Sequence, residues 1–151
     1  MESIDSVNFG SAFHGIGWHD PEGSETSPYR WMMSGGKASI TLITDRLRAV
    51  KVVCDIVSII SEEVIEHLDI FADGNHVEFE FNNNTEKTVL EFILPRATGK
   101  LVAEVTFNVA KVFQPNATDQ RHLSLAFNKI SVVPISSDSI YKSIEFDMDK
   151  I

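Results

Sequence analysis

Cysteine, basic side chains and long apolar runs are all scarce in this 151-residue sequence. The single cysteine, Cys54, excludes an internal disulfide. No apolar run approaches the roughly 18 residues of a membrane-spanning helix, so no membrane span is predicted. The N-terminal residues lack the basic-then-apolar order of a secretory signal, and we therefore expect a cytoplasmic protein.

Positive charge is limited, because the sequence has 13 Lys and Arg residues but 22 Asp and Glu residues, which gives a net charge of −9. Nucleic acids bind to basic faces that release counterions, so this balance argues against a nucleic-acid partner. It also argues against an anionic membrane surface. The phosphate-loop, dinucleotide and serine-hydrolase motifs are missing as well, and no catalytic residue is predicted.

The apolar residues that are present favour strands over helices. Ile and Val number 15 and 14, whereas Leu and Ala number 8 and 9, and ten residues are Phe. Branched and aromatic side chains suit a pleated, half-buried surface. Strict alternation over 77–81 and 101–110, and a one-faced apolar row over 50–56, indicate strands with one dry face.

The same pattern places strands along most of the chain. They are predicted over residues 5–10, 13–18, 29–33, 37–44, 47–58, 66–72, 76–82, 87–94, 100–112, 122–133 and 140–146. Residues 61–68 could instead form one or two helical turns, with Ser61 as the cap. Strands without alternating helices predict one all-β domain over 1–151, an antiparallel sandwich or barrel with at most one short helix.

Aromatic and charged residues concentrate between Gly17 and Met32. Trp18, Tyr29 and Trp31 present flat apolar faces on which a sugar ring could lie. Its hydroxyls could bond to Glu22, Asp20, Arg30 and the histidines. Alternatively, both tryptophans are core residues of neighbouring strands. In that case Arg30 would pair with Glu22 or Asp119 at a loop base.

Three segments of the sequence carry a recognisable motif. They are Gly17-Trp18-(x)3-Glu22, then Tyr29-Arg30-Trp31-Met32-(x)5-Ala38, then Phe113-Gln114-Pro115-(x)3-Asp119-x-Arg121-x-Leu123. With these residues the chain resembles a β-sandwich module of bacterial surface-polysaccharide gene clusters, which occurs alone or appended to glycosyltransferases and methyltransferases. Ser124 stands where that module commonly has glycine, and His19 and His122 are outside its pattern.

The resemblance implies a jelly-roll-like sandwich and an accessory, glycan-related role, without a known catalytic residue. Its partners would be a glycan or a polysaccharide-synthesis enzyme. The candidate ligand-binding residues are Trp18, Glu22, Tyr29, Arg30, Trp31, Asp119 and Arg121.

The matched charged residues also have a physical interpretation of their own. Asp119 and Arg121 are two apart, so on an extended chain their side chains point to the same side. Arg121 could then make a bidentate bond to Glu22 while Asp119 holds it. Such a network would either fix the N-terminal loop onto the sandwich or line a pocket.

No cofactor is predicted, although two metal sites can be considered. Asp20, Glu22 and Glu25 could offer oxygens to a structural calcium ion, while His14 and His19 match no closed zinc pattern. Three functions remain open: a non-catalytic glycan-binding or accessory module, a structural or homo-oligomerising interaction module, and a small carbohydrate-active enzyme that uses Glu22 and Asp119.

Overall fold

The chain forms two antiparallel sheets that pack face to face. A computed structural model describes residues 5–11, 13–33, 35–84, 86–110, 112–119 and 121–135. Nearly all of its regular structure is β, with one short helix within the described residues. The all-β, antiparallel sandwich predicted from the sequence is confirmed.

The elements follow the chain in a simple order. The strands and the helix are β1 (Asp5–Asn8), β2 (Gly15–Ile16), β3 (Glu22–Gly23), β4 (Pro28–Trp31), β5 (Lys37–Ile43), β6 (Val50–Ile59), α1 (Glu63–Glu66), β7 (Leu68–Ala72), β8 (Asn75–Val77), β9 (Phe79–Asn83), β10 (Thr88–Leu94), β11 (Val102–Val109) and β12 (Leu125–Pro134).

The first sheet has the order β3-β4-β12-β6-β10-β9, and β1 also pairs with β12. The second has the order β2-β5-β11-β7-β8. The segment between β1 and β4 contributes short strands to both sheets, because β2 pairs with β5 while β3 pairs with β4. Residues 9–28, from the end of β1 to the first residue of β4, are called the N-terminal loop below.

The core lies between the sheets and follows the period-two pattern of the sequence. On β11, Ala103, Val105 and Phe107 are buried, while the intervening Glu104 and Asn108 are exposed. The matching inward faces of β5, β6, β7, β10 and β12 supply most of the other large apolar side chains. Burial of apolar surface is the main favourable contribution to folding, so this alternation determines which face of each strand turns inward.

The helical alternative for residues 61–68 is confirmed in a shorter form. Helix α1 covers Glu63–Glu66, and its Val64 is buried in the main core. The prediction of Ser61 as the cap is wrong, because the cap position is Glu62. The Ser61 hydroxyl, one residue earlier, accepts a bond from the Glu63 amide at 3.3 Å. No helix in the described residues is long and apolar enough to cross a membrane.

Strand bounds differ most from the prediction in the N-terminal loop. The strand expected over 13–18 shortens to Gly15–Ile16, because Gly17 adopts a positive φ of 87°. A Cβ on Gly17 would lie 2.3 Å from the Lys37 carbonyl oxygen, so the chain passes close to β5 at this point. The predicted strand 140–146 lies outside the described residues.

Candidate functional site

A salt-bridge network joins the N-terminal loop to the segment before β12. Arg121 Nη1 donates to Glu22 Oε2 at 2.6 Å, and Arg121 Nη2 donates to Asp119 Oδ2 at 2.7 Å. Arg121 Nε lies 3.0 Å from Asp119 Oδ1. The guanidinium thus binds Asp119 in a fork and Glu22 through one nitrogen. The network predicted from the sequence is confirmed, except that the bidentate partner is Asp119.

The network sits at the surface, with about a third of each side chain of the Arg121–Glu22 pair exposed. Hydrogen bonds from Arg121 lower the pKa of Asp119 from 3.8 to about 2, and His19 contributes a smaller electrostatic effect in the same direction. Bonds to Asp119 and then to Glu22 raise the pKa of Arg121. Asp119 and Arg121 are therefore both charged at neutral pH.

Local turn chemistry places Asp119 beside Arg121. The Asn116 side-chain oxygen accepts bonds from the Thr118 amide at 2.9 Å and from the Asp119 amide at 2.8 Å. Two backbone bonds between Phe113 and Leu123, at 2.8 and 2.7 Å, close the base of this loop. The sequence pattern alone did not identify Asn116 as a site-forming residue. An Asn side chain that bonds the backbone two or three residues later is nevertheless a common turn signal.

A surface depression of about 360 Å³ includes Glu22 in its lining. It is called the Glu22 depression, and its lining residues are Asn8, Gly10, Ser11, Pro21, Glu22, Gly23, Ser24, Glu25 and Pro28. The lining combines carboxylates, hydroxyls and an amide with glycine and proline. Such groups can both accept and donate hydrogen bonds to a polyhydroxylated ligand.

Trp18 is half-buried and packs mainly into the core. Its ring contacts Phe9, Phe13, Phe107 and Phe127, with centroids 4.8 to 6.3 Å away. Its indole N–H donates to the Ser39 carbonyl oxygen at 2.9 Å. The part of Trp18 that remains accessible lines a second depression of about 290 Å³.

Arg30 lines that second depression beside Trp18 and does not join the Glu22 network. Its Nε donates to the Phe9 carbonyl oxygen at 2.8 Å, and its guanidinium carbon lies 5.1 Å from the centre of the Phe13 ring. The predicted pairing of Arg30 with Glu22 or Asp119 is therefore wrong. Strand alternation explains this, since Arg30 points to the opposite face of β4 from Tyr29 and Trp31.

Tyr29 and Trp31 belong to a small apolar cluster separate from the main core. Trp31 is only 8% exposed and packs with Leu123 and Ala126, with Tyr29 against the same group. Tyr29 is also the register partner of Glu22. A Cβ on Gly23 would lie 2.9 Å from the Tyr29 ring. Tyr29 therefore supports the strand that carries Glu22, while Trp31 fills the interior of the small apolar cluster.

The described residues contain no group of three His, Cys, Asp or Glu side chains that could hold a metal ion. The trio Asp20, Glu22 and Glu25 is thus not gathered as a calcium site, and Glu22 is bound to Arg121 instead. His19 Nε2 is buried and has no hydrogen-bond partner among the residues that the structure describes.

The fold is similar to part of a much larger carbohydrate-active enzyme. The sequence matches no protein-family model and no curated protein. Among solved structures, the chain is similar to a novel family GH115 4-O-methyl-α-glucuronidase with specificity for decorated arabinogalactans, with a TM-score of 0.50 and 11% sequence identity. The match covers 90% of this chain and 18% of that enzyme. At this identity the likeness supports the β-sandwich fold alone.

Proposed function

We propose that this chain is a non-catalytic carbohydrate-binding β-sandwich that acts as an accessory module in bacterial polysaccharide synthesis in the cytoplasm. The observation that carries the proposal is the Glu22 depression, whose wall is a carboxylate held at 2.6 Å by Arg121. Its volume of about 360 Å³ is in the range of small-molecule sites. The motif resemblance also points to glycans, and the solved enzyme of similar fold has specificity for decorated arabinogalactans.

The charge of the lining selects the kind of sugar. Arg121 is shared by two carboxylates, and Glu25 adds a further negative charge to the same depression. An acidic sugar would bring its own carboxylate towards these groups, and like charges in one site repel. We therefore propose neutral or amino sugars as ligands, in contrast to uronic acids.

The proposed role is binding without catalysis. Glycoside hydrolysis usually needs one carboxyl group that is protonated near neutral pH. The Asp119 pKa of about 2 makes that residue a poor proton donor at neutral pH. Its neighbour Glu22 is bound to the same guanidinium, so this pair is suited to fixing geometry.

A glycan array with two matched tryptophan substitutions tests the proposal. Ser11→Trp places a bulky ring in the Glu22 depression at an exposed position, whereas Asn82→Trp adds the same ring at an exposed position on β9. We expect the wild-type chain and Asn82→Trp to bind neutral or amino-sugar glycans, and Ser11→Trp to lose at least tenfold in affinity.

Two results would count against this function. If the wild-type chain binds no glycan on an array of bacterial polysaccharides, the structural or oligomerising role becomes the better account. If Ser11→Trp and Asn82→Trp bind equally well, a glycan site exists elsewhere on the molecule and the Glu22 depression is not it.

A further inference from the structure

One end of the sandwich exposes large apolar side chains on adjoining segments. Ile43 ends β5 and is the register partner of Val102 on β11, and these residues are 63% and 50% exposed. Next to them, Leu47 and Leu101 are 59% and 65% exposed. Such large apolar residues in one region of a surface commonly mark an interaction site.

The loops that carry these leucines are basic in an otherwise acidic chain. Residues 44–49 and 95–101, called the basic end below, contain Arg46, Arg48, Arg96 and Lys100, with Asp45 as the one acid in their sequence. Asp73 lies against Arg46 and Lys100, so cations still outnumber these two carboxylates. The local charge of this end is therefore positive, although the net charge of the whole chain is −9.

Hydrogen bonds of the buried Arg46 hold the two loops together. Arg46 is 3% exposed, pairs with Asp73 and donates through Nε and Nη2 to the Pro95 carbonyl oxygen at 3.2 and 3.1 Å. The Ala97 amide donates to the Arg46 carbonyl oxygen at 2.9 Å. Because Arg46 is buried in this scaffold of contacts, it is not accessible to a binding partner, whereas Arg48 and Arg96 are exposed.

The position of Leu47 follows from this scaffold. Its amide donates to the Asp45 carboxylate at 3.1 Å, which forms a tight turn just before the side chain. Leu47 is thereby flanked by buried Arg46 and exposed Arg48. Leu101 likewise follows Lys100, and its carbonyl oxygen accepts a bond from the Thr44 amide at 2.9 Å.

We propose that the basic end docks on an anionic lipid surface, with Leu47 and Leu101 inserted among the acyl chains and Arg48, Arg96 and Lys100 beside the headgroups. Apolar side chains together with flanking cations match the two components of peripheral membrane attachment. Charge beyond about 10 Å is screened at 0.1 M salt, so the acidic remainder of the molecule weakens this local attraction only partly.

Vesicle co-sedimentation of the full chain tests the proposal. The probes are phosphatidylcholine vesicles with and without about 30% phosphatidylglycerol, an anionic lipid whose surface potential attracts nearby cations. We expect binding to the anionic vesicles and about a fivefold loss in partition for each neutralised cation in Arg48→Gln and Arg96→Gln. Leu47→Ser with Leu101→Ser should reduce partition more than tenfold, because buried apolar surface is lost.

Matched control substitutions lie towards the opposite ends of neighbouring strands. Lys37→Gln removes an exposed cation from the start of β5, and Val57→Ser removes an exposed apolar side chain from the later part of β6. Neither change should affect sedimentation. Unchanged melting temperatures would confirm that every variant folds.

Three outcomes would overturn the proposal. The first is no binding to anionic vesicles, and the second is equal binding to neutral and anionic vesicles. The third is a dimer in sedimentation velocity that the double variant Leu47→Ser with Leu101→Ser dissociates, together with no binding of either form to vesicles. That result would assign the basic end to contact with a second copy of the chain. None of these outcomes depends on glycan binding, so the two proposals fail separately.

Discussion

At the scale of single residues, Arg121 links two parts of the chain that are far apart in sequence. It holds Glu22 of the N-terminal loop and Asp119 of the loop before β12, at 2.6 and 2.7 Å. The pair is about one-third exposed, so solvent screening reduces its contribution to stability. Its main effect is to fix the Glu22 carboxylate at the edge of its depression.

We expect Arg121→Ala to destabilise the fold by about 1 kcal/mol, since it removes charged hydrogen bonds at a partly exposed site. Urea unfolding of Arg121→Ala, Glu22→Gln and the double variant measures the coupling. The double variant should lose less stability than the two single variants added together, because all three side chains share one network. Strict additivity would show that Glu22 and Arg121 are energetically independent.

The Asp119 carboxylate should make stability depend on pH in the acid range. Its pKa falls from 3.8 to about 2 on folding, so its contribution is complete above pH 3.8 and disappears as the pH falls through about 2. The gap in urea midpoint between wild type and Asp119→Asn should therefore narrow from pH 5 towards about 2. A gap that stays constant over this range would contradict the ion pair.

At the scale of elements, the N-terminal loop is where the sequence pattern predicts least. Regular strands such as β11 alternate strictly, so their faces and partners follow from the residues. The loop instead depends on close backbone contacts, and these involve residues that are distant in sequence. Gly17 against Lys37 is one such contact, and no local periodicity encodes it.

We expect Gly17→Ala to destabilise the fold by about 2–4 kcal/mol, because a non-glycine residue is strained at positive φ and its Cβ would meet backbone. Gly74→Ala is the matched control. The φ of Gly74 is also positive, at 84°, but no atom of the described residues lies within 4 Å of the new Cβ, so this substitution should cost only about 1 kcal/mol. Thermal melts compare the two variants, and equal losses would show that Gly17 has no tight contact.

A bulge in β12 is the second feature of this scale that alternation does not predict. The register with β6 shifts on both sides of Phe127, and there the edge partner of β12 changes from β4 to β1. Asn128 within this irregularity donates to the Pro28 carbonyl oxygen at 2.6 Å, and its own carbonyl accepts a bond from Phe9. The bulge thus ties both ends of the N-terminal loop to one strand.

At the scale of the whole molecule, the fold class could be predicted from the sequence, whereas the two proposed binding surfaces could not. The excess of Ile and Val and their period-two spacing determine two sheets with one dry face each. The Glu22–Arg121–Asp119 network followed from spacing and the motif together. The Glu22 depression and the basic end could not be predicted in this way, because each is formed by loops that only the folded chain brings together.

The molecule therefore carries two distinct surfaces with opposite character. The Glu22 depression is lined by carboxylates and hydroxyls, whereas the basic end has exposed leucines and arginines. In our proposals the first surface holds a glycan and the second holds an anionic lipid surface. Such an arrangement would bring a bound polysaccharide close to a membrane.

The central claim is that a neutral or amino-sugar glycan occupies the Glu22 depression, and backbone amide chemical shifts during a glycan titration test it most directly. With the strongest binder from the array, the account predicts saturable shifts at Ser11 and at residues 22–25, and none at residues 95–101. Shifts confined to other parts of the chain, or stronger binding by an otherwise identical uronic-acid glycan, would contradict it.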